Sequence, residues 1–254
     1  MRAARARAAV DVRIECGIAR LTLARPRTHN RFDLPLVQAL ADACAALALD
    51  ADVHVVVLGA SGPDFSLGLA GDRGWLDPAW PDPVTAVAGL PQPIVAAIDG
   101  EARGWGLALA LACDLRIVTT RATLSAPDVA KGRLPGGGLT QRLPRIVGTG
   151  RAASLLLLGE RLAARDALAW GLAAEVVAPG GLARAVDAAA RALVARGPIA
   201  LRYAKEAIRR ALDLPLDDGV RLEHDLYVLL QTTRDRREGV AAFRARRRPR
   251  FQAR

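Results

Sequence analysis

The sequence predicts an α/β fold with a helical C-terminal region, and three observations carry that reading. Short β-branched runs, of which Val53-His54-Val55-Val56-Val57-Leu58 is the clearest, alternate with stretches of helical apolar spacing through the first half of the chain. A glycine-rich turn, Gly104-Trp105-Gly106, leads into residues 107–113, which carry no charged side chain and read as a buried helix. Beyond Pro135-Gly136-Gly137-Gly138 the strand signals give way to helical segments separated by Gly and Pro.

In chain order, residues 10–16 and 18–23 read as two strands around a Gly17 turn, a hairpin that ends at Arg25-Pro26-Arg27. Leu36, Val37, Leu40, Ala43, Cys44 and Leu47 recur at helical spacing and predict a helix over 34–49. The run 53–58 is a buried strand bounded by Asp52 and Gly59, followed by a loop over 59–74. Pro81 and Pro83 open a short helix that ends near Gly89, and Pro91 and Pro93 bracket a turn before a strand over 94–98. After the central helix, 115–119 and 123–125 read as strands. Helices follow over 139–147, 151–158, 164–170, 182–195, 199–212 and 216–231, with a last, strongly basic helix or tail over 235–250. The division expected is a core over 1–197 and a helical region over 198–254, whose apolar faces predict packing against another copy of the chain.

Composition narrows the function classes. At 254 residues and 52% hydrophobic, the chain buries a full core. The net charge of +10 comes from 36 basic residues, all of them arginine except Lys131 and Lys205. These arginines are spread along the whole chain, including its helices, and only 4% of residues are aromatic, so there is no stacking platform for bases. We expect no nucleic-acid partner; the guanidinium forks suit phosphate groups on a small ligand. Cys16, Cys44 and Cys113 show neither CxxC nor metal-ligand spacing, which predicts reduced thiols, no metal and a cytoplasmic setting. The basic N-terminal stretch lacks the apolar core of about 7–15 residues of a secretory signal. No uncharged apolar run approaches the roughly 18 residues of a membrane span, so no membrane partner is expected.

The central turn is the chemically informative stretch. The first N–H groups of a helix have no partner within it and point outward at the positive end of its dipole, so they can hold a negative oxygen. The turn before residue 107 therefore reads as half of an oxyanion hole. Other motifs are weaker. Asp64-Phe65-Ser66-Leu67-Gly68 imitates a nucleophile elbow but has Asp64 where the first glycine belongs, and Ser66 reads as a loop serine. His54 sits within an apolar strand and His224 on a terminal helix, neither placed as a base.

Four stretches together resemble the crotonase superfamily, the enoyl-CoA hydratase/isomerase family. They are Arg25-Pro26-Arg27-Thr28-His29-Asn30; Asp64-Phe65-Ser66-Leu67-Gly68-Leu69; the segment from Ile98-Asp99-Gly100 to Cys113-Asp114; and the segment from Pro127-Asp128 through Pro135-Gly136-Gly137-Gly138 to Leu143. Asp235-Arg236-Arg237-Glu238-Gly239 and residues 243–251 resemble the family's C-terminal helix. The resemblance implies a crotonase-type spiral of ββα units, a homotrimer or dimer of trimers, and an acyl-CoA substrate. Coenzyme A would enter as part of that substrate, with no tightly bound cofactor. It implies that the amides of Leu69 and Trp105 grip the thioester oxygen, and that Arg27, Ser66, Leu67, Phe243 and Arg246 meet the CoA moiety. Arg246 also has a plainer reading as part of the solvated run Arg246-Arg247-Arg248.

The departures from the family pattern shape the chemistry expected. The first of the two glutamates used by family hydratases falls on Ala108, and the second on the shorter Asp128. Trp105 stands in place of a glycine. One acid suffices to move a proton between two carbons within its reach, so an isomerase is favoured over a hydratase. A thioesterase or decarboxylase on the same fold, or a non-catalytic acyl-CoA binder, are the alternatives. Asp128 also has a reading as a helix N-cap after Pro127, and Asp72, Asp99 and Glu101 are lesser candidates for a substitute acid.

Overall fold

The computed structural model describes residues 9–71 and 80–254. The sequence-predicted loop residue Asp72 and most of the 59–74 loop's far end lie outside the described residues, as does the start of the basic N-terminal stretch.

Two sheets organise the core. Strands β1 (Val10–Glu15), β2 (Ile18–Leu23), β3 (Val55–Ala60), β4 (Ile94–Ile98), β6 (Leu115–Thr119) and β9 (Glu175–Val177) form one six-stranded sheet in the order β1-β2-β3-β4-β6-β9. The β1–β2 hairpin is antiparallel, and every later pairing in this sheet is parallel. A small sheet, β5 (Glu101–Arg103), β7 (Thr123–Ser125) and β8 (Arg161–Ala163), stands beside it. The chain steps from the large sheet to the small one three times in succession. β3 leads to Ser66, which bridges Ala102; β4 leads to β5; and β6 leads to β7. This stepping is the spiral of ββα units that the fold class implies.

Helices cover both faces of the large sheet. On one side α1 (Leu34–Leu49), α2 (Pro83–Ala88) and α3 (Trp105–Ala112) pack with α4 (Leu139–Val147) and α5 (Thr149–Leu157) around the main core. On the other, α7 (Leu182–Val194) lays Val186 and Ala190 on Ile18, Val55, Val57, Val95 and Ile117. Parallel strands covered on both faces are continuously apolar, which is why the 53–58 run was visible as a strand. That strand begins two residues later than expected, because the amides of His54 and Val55 both turn to the Gly17 carbonyl. Residues 106–112 are buried all round the helix, so α3 lacks a polar face and forms the centre of the molecule. Three-residue strands β5, β8 and β9 were missed, since they are too short to show a period and exist through pairing with distant partners.

The C-terminal helices are α8 (Pro198–Arg210), α9 (Leu216–Gln231) and α10 (Arg234–Arg244), with the short α6 (Ala164–Ala169) preceding α7. The expected helix over 235–250 stops at Arg244. Arg246 takes φ +50°, and the tail folds back on α10. There the Asp235 carboxylate accepts from the amides of Gln252 and Ala253, and Glu238 pairs with Arg247. No helix among the described residues is long and apolar enough to cross a membrane.

The first C-terminal helix is fastened to the core by one buried cation. Lys205 Nζ donates to Asp114 Oδ2 and to the Gln92 carbonyl, both at 2.7 Å, at the ends of α3 and of the turn into β4. Lys205→Met keeps the stem and removes the donor, leaving the Gln92 carbonyl without its partner. It is expected to lower stability by about 1–3 kcal/mol, seen as a lower urea midpoint at unchanged m.

Candidate active site

A cavity of about 650 Å³ opens where the two sheets' connecting loops meet. Its walls include Leu67, Gly68 and Leu69 from the loop after β3, Gly104 and Trp105 at the start of α3, and Asp128 after β7.

The loop after β3 reaches α3 because two side chains are absent. A Cβ on Gly106 would sit 2.2 Å from the Ser66 carbonyl, and one on Gly68 would sit 2.9 Å from the Arg103 carbonyl. Both positions therefore require glycine, the second also because its φ is +80°. Backbone hydrogen bonds hold the contact. Arg103 N donates to Ser66 O at 2.9 Å, and Ser66 N donates to Glu101 O at 3.1 Å. Ser66 itself is buried beneath the cavity floor. Its hydroxyl donates to Asn30 O and accepts from Gly68 N, which confirms the loop-serine reading and leaves it off the cavity wall.

The same contact brings the loop close to the first amide of α3. A Cβ on Gly68 would lie 3.4 Å from Trp105 N, and Leu69 is the next residue in the chain. Trp105 N is the first amide of α3 and has no acceptor one turn back. Among the described residues, the Leu69 amide likewise has no acceptor: the bridge to Phe32 uses Gly68 O and Ala70 N instead. The Trp105 indole lies against the Gly136 turn, where a Cβ would come within 2.6 Å of Nε1, and it forms part of the cavity wall.

Asp128 lines the same cavity beside Gly104. A Cβ on Gly104 would lie 3.4 Å from Asp128 Oδ2. The residue is 8% exposed, and Oδ2 has no hydrogen-bond partner. Its other oxygen, Oδ1, lies 3.6 Å from Arg133 Nη2. Asp128 does begin a short 3-10 turn, but its carboxylate makes no capping hydrogen bond, so the N-cap reading fails. Burial pushes its carboxyl above the usual carboxylate range, against the pull of Arg133, Lys131 and Arg103.

The other proposed acids are committed elsewhere. Asp99 binds Thr119 and Arg121, which hold its carboxyl below the usual range, and Glu101 accepts from Ser125 and Arg161. Ala108 is fully buried in α3 and is absent from the cavity wall. Arg27, Phe243 and Arg246 are exposed and also lie off that wall; Phe243 is 84% exposed near the end of α10. The sequence reading passed over four cations that line the cavity, Arg31, Arg103, Lys131 and Arg133. For Arg103, Lys131 and Arg133, nearness to Gly104 or Asp128 in the chain was the available signal, and for Arg31 its place beside Asn30, both obscured by arginine's abundance elsewhere.

Comparison with known proteins agrees with this architecture. The family model described as Enoyl-CoA hydratase/isomerase matches residues 13–254. The chain is 46% identical over 159 residues to YngF of Bacillus subtilis, an alignment that takes in 63% of this chain and 61% of YngF. It is 34% identical over 258 residues to (E)-benzylidenesuccinyl-CoA hydratase of Thauera aromatica, covering 96% of this chain and 98% of that protein. The crystal structure of an enoyl-CoA hydratase from Bacillus anthracis superposes with a TM-score of 0.92 at 33% identity, covering 97% of this chain and all of that one.

Because the folded state raises the Asp128 pKa, folding opposes ionisation of this group. That cost is absent below the ordinary carboxylate pKa and fully present above the raised one. Asp128→Asn is therefore expected to raise the urea midpoint at pH 7, with the gain shrinking as pH falls through the carboxylate range. A variant no more stable than wild type at pH 7 contradicts this.

Proposed function

This chain belongs to the enoyl-CoA hydratase/isomerase family, and from that premise we propose that it is an acyl-CoA isomerase working through one acid, Asp128. The observation that carries the reading is the buried Asp128 carboxylate. Its unpartnered Oδ2 faces Gly104, at the mouth of the helix whose first amide has no acceptor.

In this reading the thioester oxygen of a 3-enoyl-CoA sits between the Leu69 and Trp105 amides. Asp128 takes a proton from C2, and the C2–H electron pair passes into the thioester as an enolate. The two amides hold the enolate oxygen, a class of contact worth about 2.7–4 kcal/mol per donor in a transition state. The same carboxyl then returns the proton to C4, the double bond moves from C3–C4 to C2–C3, and Asp128 is regenerated. A carboxyl raised by burial suits this, since it both takes and gives a proton nearer neutral pH. Ala108 supplies no second proton-handling group, which weighs against addition of water.

The CoA portion would extend past Leu67 and Arg31 at the cavity rim. Arg27, Phe243 and Arg246 lie off the cavity wall of their own chain. In the proposed homotrimer or dimer of trimers the C-terminal Arg246 would reach CoA held by a neighbouring copy, while Arg27 would meet the CoA phosphates beyond the cavity rim.

Asp128→Asn is expected to lower kcat for conversion of 3-enoyl-CoA to 2-enoyl-CoA by about 10²–10⁴-fold, with the Kd for a saturated acyl-CoA changed far less. A panel of acyl-CoAs followed by chromatography reads the alternatives directly. Free CoA marks a thioesterase, loss of CO2 a decarboxylase, a 3-hydroxyacyl product a hydratase, and tight binding without conversion a non-catalytic member. Full isomerase activity in the Asn variant removes Asp128 from the mechanism.

A further inference from the structure

The cavity walls carry more positive charge than the proposed chemistry uses. Arg31, Arg103, Lys131 and Arg133 line the cavity, and Asp128 is the one acid that faces them among the described residues. Two of the four are accounted for. Arg31 donates to the carbonyls of Leu67 and Leu69 and braces their loop, and Arg133 pairs with Asp128. Lys131 is exposed at the mouth.

Arg103 is different. It is half-buried on the wall, and among the described residues its side chain makes no hydrogen bond or ion pair. It is also the residue immediately before Gly104, two before the Trp105 amide that the isomerase reading assigns to the thioester oxygen. The CoA phosphates cannot be its partner when a thioester is seated there, because the whole pantetheine arm separates them from the thioester carbon. The group within reach of Arg103 is the acyl chain itself.

A neutral acyl chain filling this cavity would strip water from the guanidinium and leave it only the field of Asp128, with no hydrogen-bond acceptor, a costly arrangement for a charge. A carboxylate offers two oxygens to the planar fork. We propose that the preferred substrates are CoA thioesters of dicarboxylic acids, whose distal carboxylate is received by Arg103. This deepens the isomerase reading and rests on its placement of the thioester. Lys131 adds to the field that draws such a singly anionic acyl group inward, and the net positive wall favours the charged ester over the neutral one.

The test separates binding from turnover. Calorimetric titration of wild type with glutaryl-CoA and with pentanoyl-CoA compares two saturated esters of equal chain length, one ending in a carboxylate and one in a methyl group. Glutaryl-CoA is expected to bind about 10–100-fold more tightly. Arg103→Met is expected to erase most of that ratio, and Arg103→Lys to restore part of it by charge without the fork. Pentanoyl-CoA binding as tightly as glutaryl-CoA to wild type overturns the proposal, and so does a ratio that survives Arg103→Met. An equal loss on both esters in Arg103→Met also overturns it, by showing that the side chain serves the site through Asp128 alone. A strong preference for glutaryl-CoA with no double-bond migration in any unsaturated ester supports the recognition of a distal carboxylate and overturns only the isomerase reading.

Discussion

The structure depends on a backbone-to-backbone contact, that of the Ser66 carbonyl against Gly106 and of Gly68 against the Arg103 carbonyl. Any side chain at either glycine would push the loop after β3 away from the start of α3. With the contact made, Gly68 is held against the start of α3, close to Trp105 N. In the proposed reading the amides of Leu69 and Trp105 are donors fixed by the fold itself, which would need no reorganisation when charge develops before them. The buried polar groups around the contact serve it. Asn30 donates to the carbonyls of Ser61 and Asp64, and Asp64 accepts from Glu101 N, which locks both ends of the loop.

The site combines two opposed electrostatic effects. Burial disfavours the charge on Asp128, and surrounding cations favour it. Burial prevails, so the carboxyl is held above the usual carboxylate range. Were Arg133 closer than its 3.6 Å, or were Oδ2 hydrogen-bonded, the carboxyl would be a stabilised anion and a poor shuttle for protons. In the proposed reading the cations that pull on Asp128 would also favour anionic ligands, so that one set of charges would act on both the acid and the substrate.

Stability and chemistry are divided between the two sheets. The six-stranded sheet, apolar on both faces and covered by helices, holds the molecule together. The three-stranded sheet is small, adds Ala102, Leu124 and Leu162 to the main core, and through β5 leads directly into the turn that opens α3. Loops carried on a rigid scaffold can vary without cost to the core. The departure at Trp105 is of this kind, made where α3 begins and on the cavity wall, whereas Ala108 lies buried within α3.

Much of this was legible in the residues alone. Apolar period determined α1 and β3, an uninterrupted apolar run determined α3, and the order of four motif stretches determined the family and the spiral fold. Glycine at 104 and 106 marked the turn, and Asp128 was visible as the single aligned acid. What tertiary structure decided was how groups distant in the chain converge. It showed Asp128 free of a capping role and Ser66 spent on the loop beneath the cavity. It ended the last helix at Arg244, and it left Phe243 and Arg246 on the outside of their own chain. It separated Arg103 from the chain's many other arginines. The physical reason is that period and propensity are local properties, whereas burial, desolvation and the lack of a partner arise only when segments tens of residues apart are brought into contact.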